Sequence, residues 1–193
     1  MRTIEVVVLS WVLLVPGLPT SFSQSKASRE QIESHSRKAA EYLQENRPDL
    51  AALEFRAILS IDTNNVDAHG NLGAVLFFQG NYADAIPQLR TALKLRPTLW
   101  KTQALLGIGE KRTGDIEAAR RDLEKAFPTV LETKIRIETG MELVEIYSGT
   151  GELEKTAATV SILRKLEPTD GTILYPAYRV YSDLLMSPCS ACL

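Results

Sequence analysis

Hydrophobic and small residues recur at spacings of three and four along most of the chain, which is typical of amphipathic helices that bury one face. Between residues 69 and 93, two such stretches are separated by Gly80 and Asn81. Glycine can end a helix in the left-handed conformation, and asparagine can cap the next helix by accepting an amide hydrogen bond. The stretch therefore predicts two antiparallel helices joined by a tight turn. The buried faces are assigned to His69, Leu72, Gly73, Leu76, Ala85, Leu89, Ala92 and Leu93.

This pattern recurs when the sequence is compared with itself at a shift of 34 residues. A turn position, a small position and a large apolar position recur as a set: Asn46, Gly80 and Gly114; Ala51, Ala85 and Ala119; Phe55, Leu89 and Leu123. After an insertion of three residues near 129–133, Gly151, Val160 and Pro168 continue the same columns. We therefore predict four two-helix units, each with a first and a second helix, between about Arg29 and Pro168.

The segment 29–186 is predicted to form one repeat domain, followed by an irregular tail at 187–193. Its last part, Gly171 to Met186, is rich in tyrosine and leucine. We expect a final helix here that caps the exposed face of the fourth unit. The alternative is the first half of a truncated fifth unit.

Two prolines fit the predicted helices in different ways. Pro48 takes an early helical position, where its missing amide proton costs little. Pro87 falls about one and a half turns into the second helix of the second unit and forfeits roughly one backbone bond, to the Ala83 carbonyl. We interpret Pro87 as a tolerated local bend rather than a functional hinge.

The first residues resemble a secretory signal peptide. Arg2 precedes the apolar run from Ile4 to Leu18, and small residues follow, as in a leader with a cleavage site. We expect a signal peptide at 1–23, cleaved after Ser23, a linker at 24–28, and a periplasmic or secreted mature protein. About 15 apolar residues are fewer than the roughly 20 that span a bilayer, so no stable membrane span is expected after cleavage.

Composition limits the partners. With 22 Lys and Arg against 24 Asp and Glu, the chain has a net charge of −2 and no basic excess for binding nucleic-acid phosphates. Nucleic acid is therefore not an expected partner.

No catalytic or cofactor motif is predicted. His35 and His69 are 34 residues apart, so they occupy the same position of successive units and are interpreted as packing residues rather than metal ligands. Gly107 and Gly109 lack a full glycine-rich fingerprint and are interpreted as helix contacts. Cys189 and Cys192 have the spacing of redox and metal sites, but no βαβ unit surrounds them, and a local disulfide or free thiols are favoured.

The registered columns resemble the tetratricopeptide repeat, whose consensus has 34 residues. The second unit is the most similar, with the signature positions occupied by His69, Leu72, Gly73, Leu76, Ala85, Leu89 and Pro97. In the third unit Glu110 replaces the consensus aromatic residue, and in the fourth Val144 and Thr156 replace small residues. The resemblance implies an all-α fold, a right-handed superhelical solenoid of antiparallel helix pairs.

The resemblance also implies a concave groove, lined by the first helices, that binds a peptide or another protein without catalysis. The chaperone-tail clamp of the family is not reproduced, because Ser36, Ala40 and Leu105 stand at its other positions. The alternative function is the repeat portion of a larger or truncated enzyme, or an accessory subunit of an envelope enzyme or transport complex. The groove positions are Asp67, Gly70, Asn71, Ala74, Phe77, Phe78, Lys101, Ala104, Ile108, Lys111, Arg112, Met141 and Glu145.

The groove positions predict a mixed surface. Phe77 and Phe78 are expected to form an apolar patch beside a basic patch of Lys101, Lys111 and Arg112. An extended partner segment with an apolar anchor and nearby acidic residues would suit both patches, and Phe77 is expected to contribute to affinity.

Overall fold

The computed structural model describes residues 21–168 and the single positions 171, 175 and 182. The described residues form eight α-helices and no strand. The helices are α1 (Ser21–Gln44), α2 (Pro48–Ile61), α3 (Val66–Phe78), α4 (Tyr82–Leu95), α5 (Trp100–Arg112), α6 (Ile116–Ala126), α7 (Thr133–Gly149) and α8 (Leu153–Leu166). Successive helices pair as α1 with α2, α3 with α4, α5 with α6 and α7 with α8, which are the four predicted units.

The units stack in chain order. The second helix of each unit contacts the first helix of the next, and α5 also contacts both α3 and α7. Each unit thus touches only its neighbours, as in other repeat proteins, and the stacked units bury one continuous core. The predicted all-α solenoid of helix pairs is confirmed.

The four turns within units share one backbone arrangement. Asn46, Gly80, Gly114 and Gly151 have positive φ angles of 56°, 77°, 89° and 75°. The next amide donates back to a carbonyl five residues earlier, for example from Asn81 to Leu76 at 2.9 Å. This is the Schellman motif, which satisfies carbonyls left over at a helix end. Asn81 and Asp115 then cap the next helices by accepting from the amides of Asp84 and Ala118.

The prolines lie where they were predicted. Pro48 is at the start of α2, and Pro87 lies inside α4, which continues without interruption to Leu95. The Pro87 carbonyl accepts a bond from the Thr91 hydroxyl at 2.9 Å.

Glycines allow the two helices of the second and third units to approach closely. A Cβ atom on Gly73 would lie 2.6 Å from Leu89 Cδ2, and one on Gly107 would lie 2.7 Å from Leu123 Cγ. Both leucines are fully buried. In the fourth unit Val144 occupies this column, and the close approach moves one turn earlier, where Gly140 faces Leu163 and the Phe127 ring.

The three-residue insertion gives the fourth unit an early start. Helix α7 begins at Thr133, a turn before the position at which the first helices of the earlier units lead us to expect it. Its Ile135 packs on a second small core formed by Ala104, Ala126 and Val130. The insertion therefore fills the space between the third and fourth units rather than forming a loose loop.

The chain termini differ from the expectation at one end. Residues 24–28, expected to be a linker, belong to the continuous helix α1 and precede the predicted start of the first unit at Arg29. Gly171, Tyr175 and Ser182 are helical where a last helix was predicted. The rest of that helix, Cys189, Cys192 and the region 1–20 lie outside the described residues.

Candidate partner-binding surface

The candidate residues lie on the first helices α3, α5 and α7, as the repeat register predicts. Helices α1 and α3 make no close backbone contact in the described chain, whereas α3 and α5 do. The space between α1 and α3 is a cleft of about 180 Å³. Ser36, Ala40 and Leu43 line one side, and Asp67 and Asn71 line the other. This cleft is the open part of the predicted groove.

The predicted apolar patch is reduced to one residue. The Phe77 side chain is only 7% exposed, because its ring packs edge-on against Tyr82 and would lie 3.7 Å from a Cβ atom on Gly109 of α5. Phe77 is therefore a core residue, and its assignment to an exposed patch was wrong. Phe78 is 77% exposed, and its ring centre lies 5.4 Å from that of Phe77.

Two further groove positions are covered. Ala104 and Ile108 are buried, Ala104 in the small core that the early start of α7 completes. Neither is available to a partner in this conformation, because a neighbouring unit already occupies its surface. Met141 packs at the edge of the main core, and Gly70 lies in ordinary contact range of Ala92 and Thr102.

The predicted basic patch is neutralised by carboxylates. Lys101 Nζ lies 2.5 Å from Glu132 Oε1, and this hydrogen bond holds the pKa of Glu132 below its ordinary value. Lys111 pairs with both Glu142 and Glu145, and Arg112 Nη2 lies 2.7 Å from Glu142 Oε1. The cations therefore join neighbouring units rather than forming an unpaired basic surface.

A larger cleft on the edge of the stack was not predicted from the sequence. It has a volume of about 380 Å³ and lies between the connection that precedes α5 and the inserted segment before α7. Leu99, Trp100, Val130 and Leu131 supply its apolar walls. Leu131 is 88% exposed, so the insertion signalled this feature only through its departure from the 34-residue period.

The two histidines pair within their own units. His35 Nδ1 lies 2.5 Å from Glu54 Oε2, and His69 Nδ1 lies 2.8 Å from Gln88 Oε1. The third unit has the same arrangement with Gln103 and Asp122 at 2.6 Å. Within the described part of the chain, no group of three or more His, Cys, Asp or Glu residues is arranged to hold a metal ion. The column therefore supplies a polar contact between paired helices.

A buried charge lies where the second and third units meet. We call this contact region, with Phe77, Gly109, Arg90 and Glu110, the central joint. Glu110 is only 1% exposed, and its Oε1 accepts from Arg90 Nη2 at 2.7 Å. Its Oε2 is buried without a hydrogen-bond partner. Burial, with the nearby Asp122, raises the pKa of Glu110 to about 7 despite Arg90.

The third and fourth units meet through a different set of contacts, the distal joint, formed by Phe127, Gly140, Arg120 and Glu152 with Tyr147. Arg120 bonds both oxygens of Glu152, at 2.7 and 2.9 Å. The Tyr147 hydroxyl bonds Glu124 Oε1 at 2.8 Å, and the Arg120 guanidinium lies 5.5 Å from the Tyr147 ring centre. Hydrogen bonds from Lys155 and Thr150, with Arg120, lower the pKa of Glu152 to about 2.

No helix among the described residues has both the length and the apolar character needed to cross a membrane. The structure thus offers neither a metal cluster nor a spanning helix in these residues, and its main features are stacked helix pairs with two surface clefts. These features define a helical repeat protein of the protein-binding class.

Comparison with known proteins agrees with this class. The family model for the tetratricopeptide repeat matches residues 66–99, the second unit. The human tetratricopeptide repeat protein 34 is 35% identical over 68 residues. These residues are 35% of this chain and 12% of that protein, so the chain spans about an eighth of the length of this relative.

Solved structures share the fold. The crystal structure of MamA matches with a TM-score of 0.68 and 20% identity, over 76% of this chain and 84% of MamA. YrrB, described as a TPR protein with an unusual peptide-binding site, matches with a TM-score of 0.71 and 16% identity, over 86% and 84% of the two chains. The structure of pilF from Pseudomonas aeruginosa matches with a TM-score of 0.65 and 17% identity, over 82% and 71%. The chain is a tetratricopeptide-repeat protein.

Proposed function

We propose that this chain is a non-catalytic scaffold that binds a peptide or protein segment along the first helices of its first two units. The observation that carries the proposal is the open cleft between α1 and α3, which Ser36, Ala40, Leu43, Asp67 and Asn71 line. Solenoids offer extended surfaces of this kind, which bind partners without a catalytic pocket.

The occupant of this surface is an uncharged or weakly charged segment with an apolar anchor. Leu43 and Phe78, at or near the ends of α1 and α3, are the exposed apolar side chains on these first helices. The cations of the third unit are already paired with Glu132, Glu142 and Glu145, so they give little attraction to an acidic partner. Binding therefore depends mainly on apolar burial and only weakly on salt.

A peptide-display selection against the immobilised chain tests this proposal, followed by affinity measurements on the selected peptide. Phe78→Ala is expected to weaken binding by roughly 1 to 3 kcal/mol if Phe78 is an anchor. Leu131→Ala is the matched control, because it removes an equally exposed apolar side chain at the edge cleft. If Leu131→Ala abolishes binding while Phe78→Ala does not, the edge cleft is the binding surface and the proposal is wrong.

We further propose that the chain is exported through its N-terminal apolar segment and acts in the periplasm or outside the cell. The support is the order of Arg2, the apolar run from Ile4 to Leu18 and the small residues that follow. Mass spectrometry of the protein recovered from its producing cells is expected to show a mature N-terminus at Gln24. An intact N-terminus at Met1 would contradict cleavage.

A further inference from the structure

Glu110 is a carboxylate in a column that is otherwise aromatic or aliphatic. The equivalent residues of the other units are Tyr42, Leu76 and Tyr147. At the distal joint the buried polar atom of this column is satisfied, because the Tyr147 hydroxyl bonds Glu124. At the central joint only one oxygen of Glu110 has a partner.

The surroundings of Glu110 are asymmetric. In the described part of the chain, the charged groups that face it are Arg90 from α4 and Asp122 from α6. Arg90 donates to Oε1, whereas Asp122 is itself an acceptor that already bonds Gln103 of α5. Two ionised carboxylates cannot bond each other, but a protonated Glu110 has an O–H group that can donate to Asp122.

We propose that Glu110 makes the central joint pH-responsive: protonation lets it bond both Arg90 and Asp122, and ionisation leaves only the bond to Arg90. The network spans α4, α5 and α6, so its state acts on the contact between the second and third units. It lies next to Gly109, on which Phe77 packs. The joint is therefore tighter in acid and looser above neutrality.

The direction follows from proton binding. The folded chain keeps the Glu110 proton up to a pKa of about 7, whereas an unfolded glutamate releases its proton near 4.5. Between these values the folded state holds more protons, so the contribution of Glu110 to stability falls as the pH rises. This contribution is fully present below pH 4.5 and lost as the pH passes through about 7.

Urea unfolding of the full chain and of Glu110→Gln at pH 5 and pH 8 tests the proposal. Glutamine reproduces the protonated form, because its carbonyl can accept from Arg90 and its amide can donate to Asp122. From pH 5 to pH 8, the unfolding equilibrium constant of the parent should rise at least about tenfold more than that of Glu110→Gln. All other titrating groups are common to both proteins and cancel in this difference.

Glu142→Gln is the control, since Glu142 is also buried but is paired with both Lys111 and Arg112. It should lower stability by a similar factor at both pH values. Carboxyl-carbon NMR of the parent provides a measurement that needs no variant: one glutamate should titrate near pH 7. Equal pH dependence in the parent and Glu110→Gln, or titration of every glutamate near its ordinary value, would overturn the proposal.

Discussion

The central and distal joints use the same two devices with different residues. At each joint a phenylalanine packs on a glycine of the next first helix: Phe77 on Gly109, and Phe127 on Gly140. Phe77 belongs to a first helix, however, whereas Phe127 follows the end of a second helix. The joints thus differ in which helix of the preceding unit supplies the aromatic ring. Equivalent packing does not require equivalent columns in a repeat protein.

The electrostatics of the two joints are opposed. Arg90 leaves one oxygen of Glu110 unsatisfied, whereas Arg120, Lys155 and Thr150 together bond both oxygens of Glu152. The pKa of the first carboxyl is accordingly raised and that of the second lowered. Burial without enough donors disfavours the charged form, and several donors favour it. Acidification should therefore stabilise one joint and weaken the other.

The largest expected effect comes from removing the rings. Phe77→Ala and Phe127→Ala should each lower the free energy of unfolding by about 3 to 5 kcal/mol, because each leaves a buried cavity. Amide hydrogen exchange should rise around α5 in the first variant and around α7 in the second. Phe78→Ala, on the exposed neighbour, is the control and should change stability little. A small effect of Phe77→Ala would restore that ring to the exposed surface.

An alanine scan of the two glycines separates the joints more finely. A Cβ atom on Gly140 would lie 2.6 Å from Phe127 and 2.7 Å from Leu163, so Gly140→Ala should cost about 1 to 3 kcal/mol. On Gly109 it would lie 3.6 Å from Ile86, an ordinary contact, so Gly109→Ala should be neutral or stabilising by up to about 1 kcal/mol. Thermal melting of both variants checks this prediction. Equal losses would mean that the joints are packed alike.

The smallest expected effect concerns Glu152, which is partly exposed. Because its pKa is lowered to about 2, its contribution to stability is present above pH 4.5 and is lost as the pH falls towards 2. Glu152→Gln should therefore be less stable than the parent at pH 6, and the two should converge in acid. Melting curves at pH 6 and pH 3 measure the difference, with Glu154→Gln on the same helix as control. A difference that persists unchanged at pH 3 would contradict this assignment.

The sequence predicted the fold well because the repeat depends on local chemistry. Gly80 and Gly114 mark turns that need positive φ angles, and Asn81 and Asp115 mark caps, so a single period located them. The surface was predicted less well because exposure depends on the neighbouring unit. Phe77 is buried since the residue facing it, Gly109, has no side chain, a fact that no pattern within α3 contains.

The charge of the surface was mispredicted for a related reason. Lys111 pairs with Glu142 and Glu145 across the three-residue insertion, which shifts the register between these units. Spacing alone therefore did not indicate which acidic residue faces which cation. Glu110 was recognised as a departure from the aromatic column, but its pairing with Arg90 required the packed structure.

The turns within the units have a consequence for protein engineering. Each one returns an amide to the carbonyl of the residue in the column of Tyr42, Leu76, Glu110 and Tyr147. The bond uses the backbone alone, so the connector is indifferent to whether that side chain is a phenol, an alkyl group or an acid. Unit boundaries placed at these turns are natural splice points, at which arrays of other lengths can be assembled from this sequence by duplicating or exchanging whole 34-residue cassettes.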